Sequence, residues 1–96
     1  MDEGLSLLCV EDDQGDFALI ERHITRQGIR ARFRRVDSMQ AILAALASEP
    51  WDVVLSDFNV PGLDFVASFS AIRAKSPDLP VILVSGTLGE DRKSVV

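Results

Sequence analysis

The sequence has one cysteine, Cys9, too few for an internal disulfide. Its place in an apolar run suits a small buried hydrophobe in a reducing, cytoplasmic setting. Cations are also in deficit: 10 lysines and arginines against 15 acids leave a net charge of -5. Neutralising phosphates needs clustered cations, so this balance argues against a direct nucleic-acid partner. The arginines that do gather, Arg26, Arg30, Arg32, Arg34 and Arg35, read as the charged guard of an exposed sheet edge. No apolar run approaches the roughly 18 residues a membrane span requires. The acidic start, Met1-Asp2-Glu3, lacks the cationic lead of a signal peptide. There is no GxxxxGK(S/T) or GxGxxG phosphate loop, no internal repeat and no low-complexity tract.

What is present is 96 residues with 47% hydrophobic and 26% charged content, enough for one small domain with one core. Leu5 to Val10 is a short apolar run that ends in Glu11, Asp12 and Asp13, as a strand covered on both faces would. Gln14 to Gln27 places Phe17, Ile20 and Ile24 at helical spacing, and Gly28 supplies the stop. Ala31 to Val36 reads as an edge strand. Asp37 or Ser38 can cap a helix whose apolar face is Met39, Ile42 and Leu46 and which Glu49-Pro50 ends.

Asp52 to Asp57 is a third strand, closed by an acid and then by the Pro61-Gly62 turn. Phe65, Val66, Phe69 and Ile72 mark a third amphipathic helix, with Asp64 as a turn or capping residue before it. Val81 to Val84 is a fourth strand ending at Ser85-Gly86, and Glu90 onward looks like the first turn of a fourth helix. The order βαβαβαβα predicts an α/β fold, a doubly wound parallel sheet of order 2-1-3-4.

In that order strands one and three are neighbours at the switch point, where such sheets bind ligands. Glu11 and Asp12 then meet Asp57. Two carboxylates about 5 Å apart at an effective dielectric near 20 repel by roughly 3 kcal/mol, so three together call for a cation. A hard divalent ion with oxygen ligands, Mg²⁺, answers this, and the main-chain carbonyl of Asn59 is an extra donor. Strand four delivers the hydroxyl of Ser85 to the same rim, with Thr87 as a less favoured competitor further into the loop. A carboxylate nucleophile, a divalent ion and a hydroxyl donor suit phosphoryl transfer, which relies on positioning and charge neutralisation. His23 stands alone on its helix with no second ligand at metal spacing and reads as a surface or packing residue. Trp51 and Met39 read as core or rim packing.

Three blocks, LLCVEDD, VVLSDFNVPGLD and PVILVSG, taken in order, resemble the receiver domains of two-component response regulators, and together they span nearly the whole chain. The resemblance implies a flavodoxin-like receiver fold and a cytoplasmic signalling phosphoprotein. Asp57 would accept a phosphoryl group from the phosphohistidine of a histidine kinase or phosphotransfer protein. Asp12 would hold Mg²⁺ directly, Glu11 through water, and Asn59 through its carbonyl. Ser85 would be the hydroxyl that moves toward the phosphoryl group and passes a change of shape to a partner or output domain. Such a module catalyses its own phosphorylation and dephosphorylation without being a turnover enzyme.

Two departures stand out. Phe65 replaces the glycine usual after Asp64, read as a variation in helix entry. The family's fifth strand, fifth helix and strand-ending lysine are absent, and Lys93, in the expected fourth helix, is a poor substitute. A receiver domain over 1–96 that stops in its fourth helix would expose strand four as an apolar edge, so self-association there and weak phosphorylation are expected. The alternative function is a metal-dependent phosphatase with an aspartyl nucleophile. Such enzymes want a second acid two residues after the nucleophile, where this chain has Asn59. A flavin-phosphate module fits less well, because acids follow strand one where a hydroxyl- and glycine-rich loop is needed.

Overall fold

The computed structural model describes residues 4–85 and 94–95. Strand β1, Leu5–Val10, is the centre on which the rest is built. Its side chains alternate between two cores. Leu8 and Val10 enter one that also takes Val36, Ile42, Val54 and Ile72, whereas Leu7 and Cys9 share the other with Ile20, Leu55 and Val84. A strand apolar on both faces needs helices on both. Helix α1, Gln14–Arg26, covers the second core through Ile20, with Phe17 and Ile24 partly buried beside it. Helices α2, Met39–Ser48, and α3, Phe65–Lys75, cover the first through Ile42, Ala45 and Ile72. Leu8, Ile42, Val54 and Ile72 are essentially removed from water, and burial of each such side chain stabilises the fold by roughly 1.5–3 kcal/mol.

Strands β2, Ala31–Val36, β3, Val53–Asp57, and β4, Val81–Ser85, complete a parallel sheet of order β2-β1-β3-β4. This is the doubly wound arrangement expected, with β1 and β3 adjacent. The arginines of β2 lie on the sheet edge, where Arg32 and Arg34 reach Glu49 at 2.9 and 3.7 Å. Each helix begins on a side-chain cap. Asp13, Ser38 and Asp64 accept hydrogen bonds from the main-chain N–H groups of Asp16, Ala41 and Ala67, each replacing a partner that the first turn of a helix lacks. Gly28, at φ 83°, takes the left-handed conformation that ends α1, and Gly62, at φ 80°, does so in the turn after β3.

Two expectations are corrected. The expected stripe of Phe65, Val66, Phe69 and Ile72 holds only in part on α3: Ile72 is buried and Phe65 half-buried, but Val66 is 68% and Phe69 38% exposed, and Ser68 is buried instead. The inward positions lie four residues apart, and one of them is polar. The Ser68 hydroxyl can be buried because it donates to the Phe65 carbonyl at 2.9 Å, so hydrophobic spacing alone misses one of the inward positions. The expected fourth helix falls largely outside the described residues, but Ser94–Val95 are described and form a short strand, β5, antiparallel to β4. The pairing joins Val84 to Val95 and Ser85 to Ser94. The end of β4 is thereby covered, and the open edge expected along strand four is reduced to Val81–Leu83 among the described residues.

Candidate functional site

The register of the sheet builds the site. Val10 pairs with Ser56, so Glu11, just past β1, and Asp57, the last residue of β3, stand side by side at the rim. The Glu11 N–H still donates to the Val36 carbonyl at 2.9 Å, which ties the chain to the rim as it turns toward α1. Carboxylate oxygens of Glu11, Asp12 and Asp57 all lie within 4.8 Å of one another. Glu11 is 1% exposed, Asp57 is half-buried and Asp12 is exposed, so the cluster is a cup with a closed floor and an open mouth.

The main chain orients these acids. Glu11 Oε2 accepts from the Asp13 N–H at 3.1 Å, and Asp57 Oδ1 accepts from the Asn59 N–H at 3.2 Å. The second bond folds the loop after β3 back over Asp57 and brings the Asn59 main chain to the cup. Arg35 reaches the Glu11 carbonyl at 3.2 Å and Asp37 at 3.4 Å. Asp13, the third acid of the run, serves as the cap of α1 instead of joining the cluster. Its spacing of three from Asp16 resembles a capping box and was the available signal. Of the hydroxyl candidates, Ser85 closes β4, one residue beyond the Val84 that pairs with Asp57, so its main chain reaches the same rim. Thr87 and Lys93 lie outside the described residues.

Three carboxylates this close repel unless a cation lies among them. An all-oxygen set is the donor chemistry of Mg²⁺ rather than of a softer metal, so the residues present fit that ion. The nearby thiol is no competitor. Burial first, then the charges of Glu21 and Glu11, push Cys9 up to about 12, and a protonated thiol neither attacks nor ligates. His23 is exposed on α1. Trp51 packs against the first core, its indole N–H donating to the Ala45 carbonyl at 2.9 Å. Among the described residues no helix is long and apolar enough to cross a membrane.

Known proteins agree with this arrangement. Residues 7–95 match the model of the response regulator receiver domain. The chain is 37% identical over 76 residues to the DNA-binding transcriptional regulator NtrC of Proteus hauseri, covering 79% of this chain and 16% of that one. It is 36% identical over 92 residues to the response regulator protein FleR of Pseudomonas aeruginosa, covering 90% of this chain and 18% of the other. The chain thus spans less than a fifth of the length of these two relatives. Among solved structures, the receiver domain of a sensor histidine kinase from Pseudomonas aeruginosa, crystallised with a magnesium ion coordinated in its active site cleft, superposes with a TM-score of 0.73. That match has 24% identity and covers 91% of this chain and 73% of the other. Sheet order, acid cluster and family match converge: the chain belongs to the response regulator receiver domains, the phosphoaccepting signalling modules of two-component systems.

Proposed function

We propose that Asp57 is the phosphoacceptor and that Glu11, Asp12, Asp57 and the Asn59 carbonyl hold Mg²⁺. The observation that carries this is the convergence of three carboxylates at the mouth of the β1/β3 crevice. An Asp57 carboxylate oxygen attacks the phosphorus of a phosphohistidine in line. A P–O bond forms as the P–N bond breaks, and the electron pair stays on the departing imidazole. Mg²⁺, when bound, supplies charge neutralisation for the phosphoryl oxygens and for the acids around them.

The chain's own part is positional. Glu11 is fixed by its bond from the Asp13 N–H, and the Asn59 N–H holds one oxygen of Asp57, which orients the carboxylate at the cup. Ser85, at the end of β4, then donates to a phosphoryl oxygen of the product and transmits the change along β4. The same groups catalyse both phosphorylation by small donors and hydrolysis of the aspartyl phosphate. The natural donor is a histidine kinase or phosphotransfer protein in the cytoplasm, and the receiver acts on an output domain or partner protein. Two copies of the chain would pair through the Val81–Leu83 edge, visible as dimer in light scattering at high concentration.

The test is incubation with Mg²⁺ and a small acyl phosphate, followed by intact mass measurement. A slow gain of one acid-labile phosphoryl group is expected, with none in Asp57→Asn. No gain in the parent chain, or an equal gain in the variant, would overturn the assignment.

A further inference from the structure

The loop that carries Asn59 also carries Phe58, which follows Asp57 directly and is 60% exposed. Its ring is held in place. Its centroid lies 5.1 Å from that of Phe65, tilted by 48°. Phe65 in turn stacks on Phe69 at 6.2 Å and 18°, and the Arg73 guanidinium sits 5.7 Å from the centre of the Phe69 ring. Phe65, Phe69 and Arg73 are spaced by four, so they form one column along α3. The column ends on the residue between Asp57 and Asn59.

Aromatic rings in contact gain stabilisation beyond their area burial, enough to restrain both partners. Here the contact ties the main chain of the β3–α3 loop to a regular helix. The bond beside that tie, Asn59 N–H to Asp57 Oδ1, is 3.2 Å long and lies on the rim. The loop's other anchors, the buried side chain of Val60, the Leu63 N–H to the Val60 carbonyl at 3.0 Å and the Asp64 cap of α3, hold it from the far side of Asn59. A glycine at 65 would have no ring for Phe58 to meet.

We propose that Phe65 is a positioning residue of the phosphoacceptor site. Through the ring of Phe58 it holds the Phe58–Asn59 main chain against Asp57, and it thereby presets the oxygen donors for the divalent ion. The second half of this inference rests on the metal-site reading above; the first half does not.

The experiment uses the whole chain and two readouts. ¹⁵N relaxation without metal reports the Phe58 and Asn59 amides, and an NMR titration with Mg²⁺ reports affinity. In the parent chain both amides should have order parameters near the rigid value of about 0.85, and in Phe65→Ala they should fall toward about 0.6. Mg²⁺ affinity should fall about two- to tenfold, the range spanned by one aromatic pair. Phe65→Tyr should restore both. Phe69→Ala removes a ring from the same column without touching Phe58, and should have less than half the effect.

Unchanged amides and unchanged affinity in Phe65→Ala, or an equal effect of Phe69→Ala, would overturn the proposal. If the amides loosen as expected but the parent chain binds no Mg²⁺, the metal reading fails and the aromatic tie stands. If the parent binds Mg²⁺ and Phe65→Ala changes nothing, the tie fails and the metal reading stands.

Discussion

The two rims of the sheet use acids in opposite ways. At the N-terminal rim, Asp52 closes a ring with Ser6: its N–H donates to the Ser6 carbonyl at 2.8 Å, and its Oδ2 accepts from the Ser6 N–H at 2.7 Å. Glu49 meets Arg32 and Arg34 there. At the C-terminal rim Glu11, Asp12 and Asp57 converge on one another. Paired acids lower the free energy of the fold, while converging ones raise it until a cation arrives. The difference teaches that acids on the described rims are either tied to partners or gathered together, and the gathered set is the one the proposed chemistry uses.

The largest expected effect separates the rims by sign. On the proposed metal site, Asp12→Asn should weaken Mg²⁺ binding by about tenfold or more, since it would remove a charged oxygen ligand from a set that fits a hard ion. In the absence of metal the same change should stabilise the chain, by about 1 kcal/mol or less because Asp12 is exposed to water. Urea unfolding with and without Mg²⁺ checks both signs. A variant destabilised in metal-free buffer would break the contrast, since Asp12 would then be a structural acid like those below.

Much of this contrast was legible in the sequence. LLCVEDD and VVLSDFNVPGLD each show an apolar run stopping at an acid, and parallel neighbours must bring such ends together, which locates Glu11, Asp12 and Asp57 without coordinates. The N-terminal rim was not legible. Asp52 read as the first residue of a strand, and nothing local says that its side chain closes a ring with Ser6, 46 residues away. α3 misled for a related reason: its buried Ser68 is satisfied by a carbonyl three residues back, so the polar residue faces inward and Phe69 outward. Phe65 was visible as a departure from the family pattern, but its meeting with Phe58 depends on how the loop folds back over Asp57. Ring contacts across a turn carry no periodic signature.

A middling effect tests the ring at the N-terminal rim. Asp52→Ala leaves the Ser6 N–H without its acceptor at the start of β1 and should destabilise the chain by about 1–2 kcal/mol. Asp52→Asn keeps a carbonyl acceptor and should recover most of that. Chemical denaturation of the three proteins settles the order, and a loss in Asn equal to that in Ala would show that charge, not the hydrogen bond, matters at this rim.

The smallest effect belongs to the arginine edge. Arg32 donates to both Ser6 and Glu49, at 2.6 and 2.9 Å, with 56% of its side chain still exposed. An exposed pair of this kind contributes about 0.2–1 kcal/mol, most of it screened at high salt. Arg32→Ala should therefore shift the urea midpoint slightly in dilute buffer and hardly at all in about 1 M salt, where the Debye length shrinks to ~3 Å. The converging acids should respond to salt in the reverse sense, because screening relieves their repulsion. If added salt stabilised the parent chain while erasing the Arg32→Ala difference, both rims would behave as their geometry requires. If salt acted alike on both, the division between paired and converging acids would not describe their energetics.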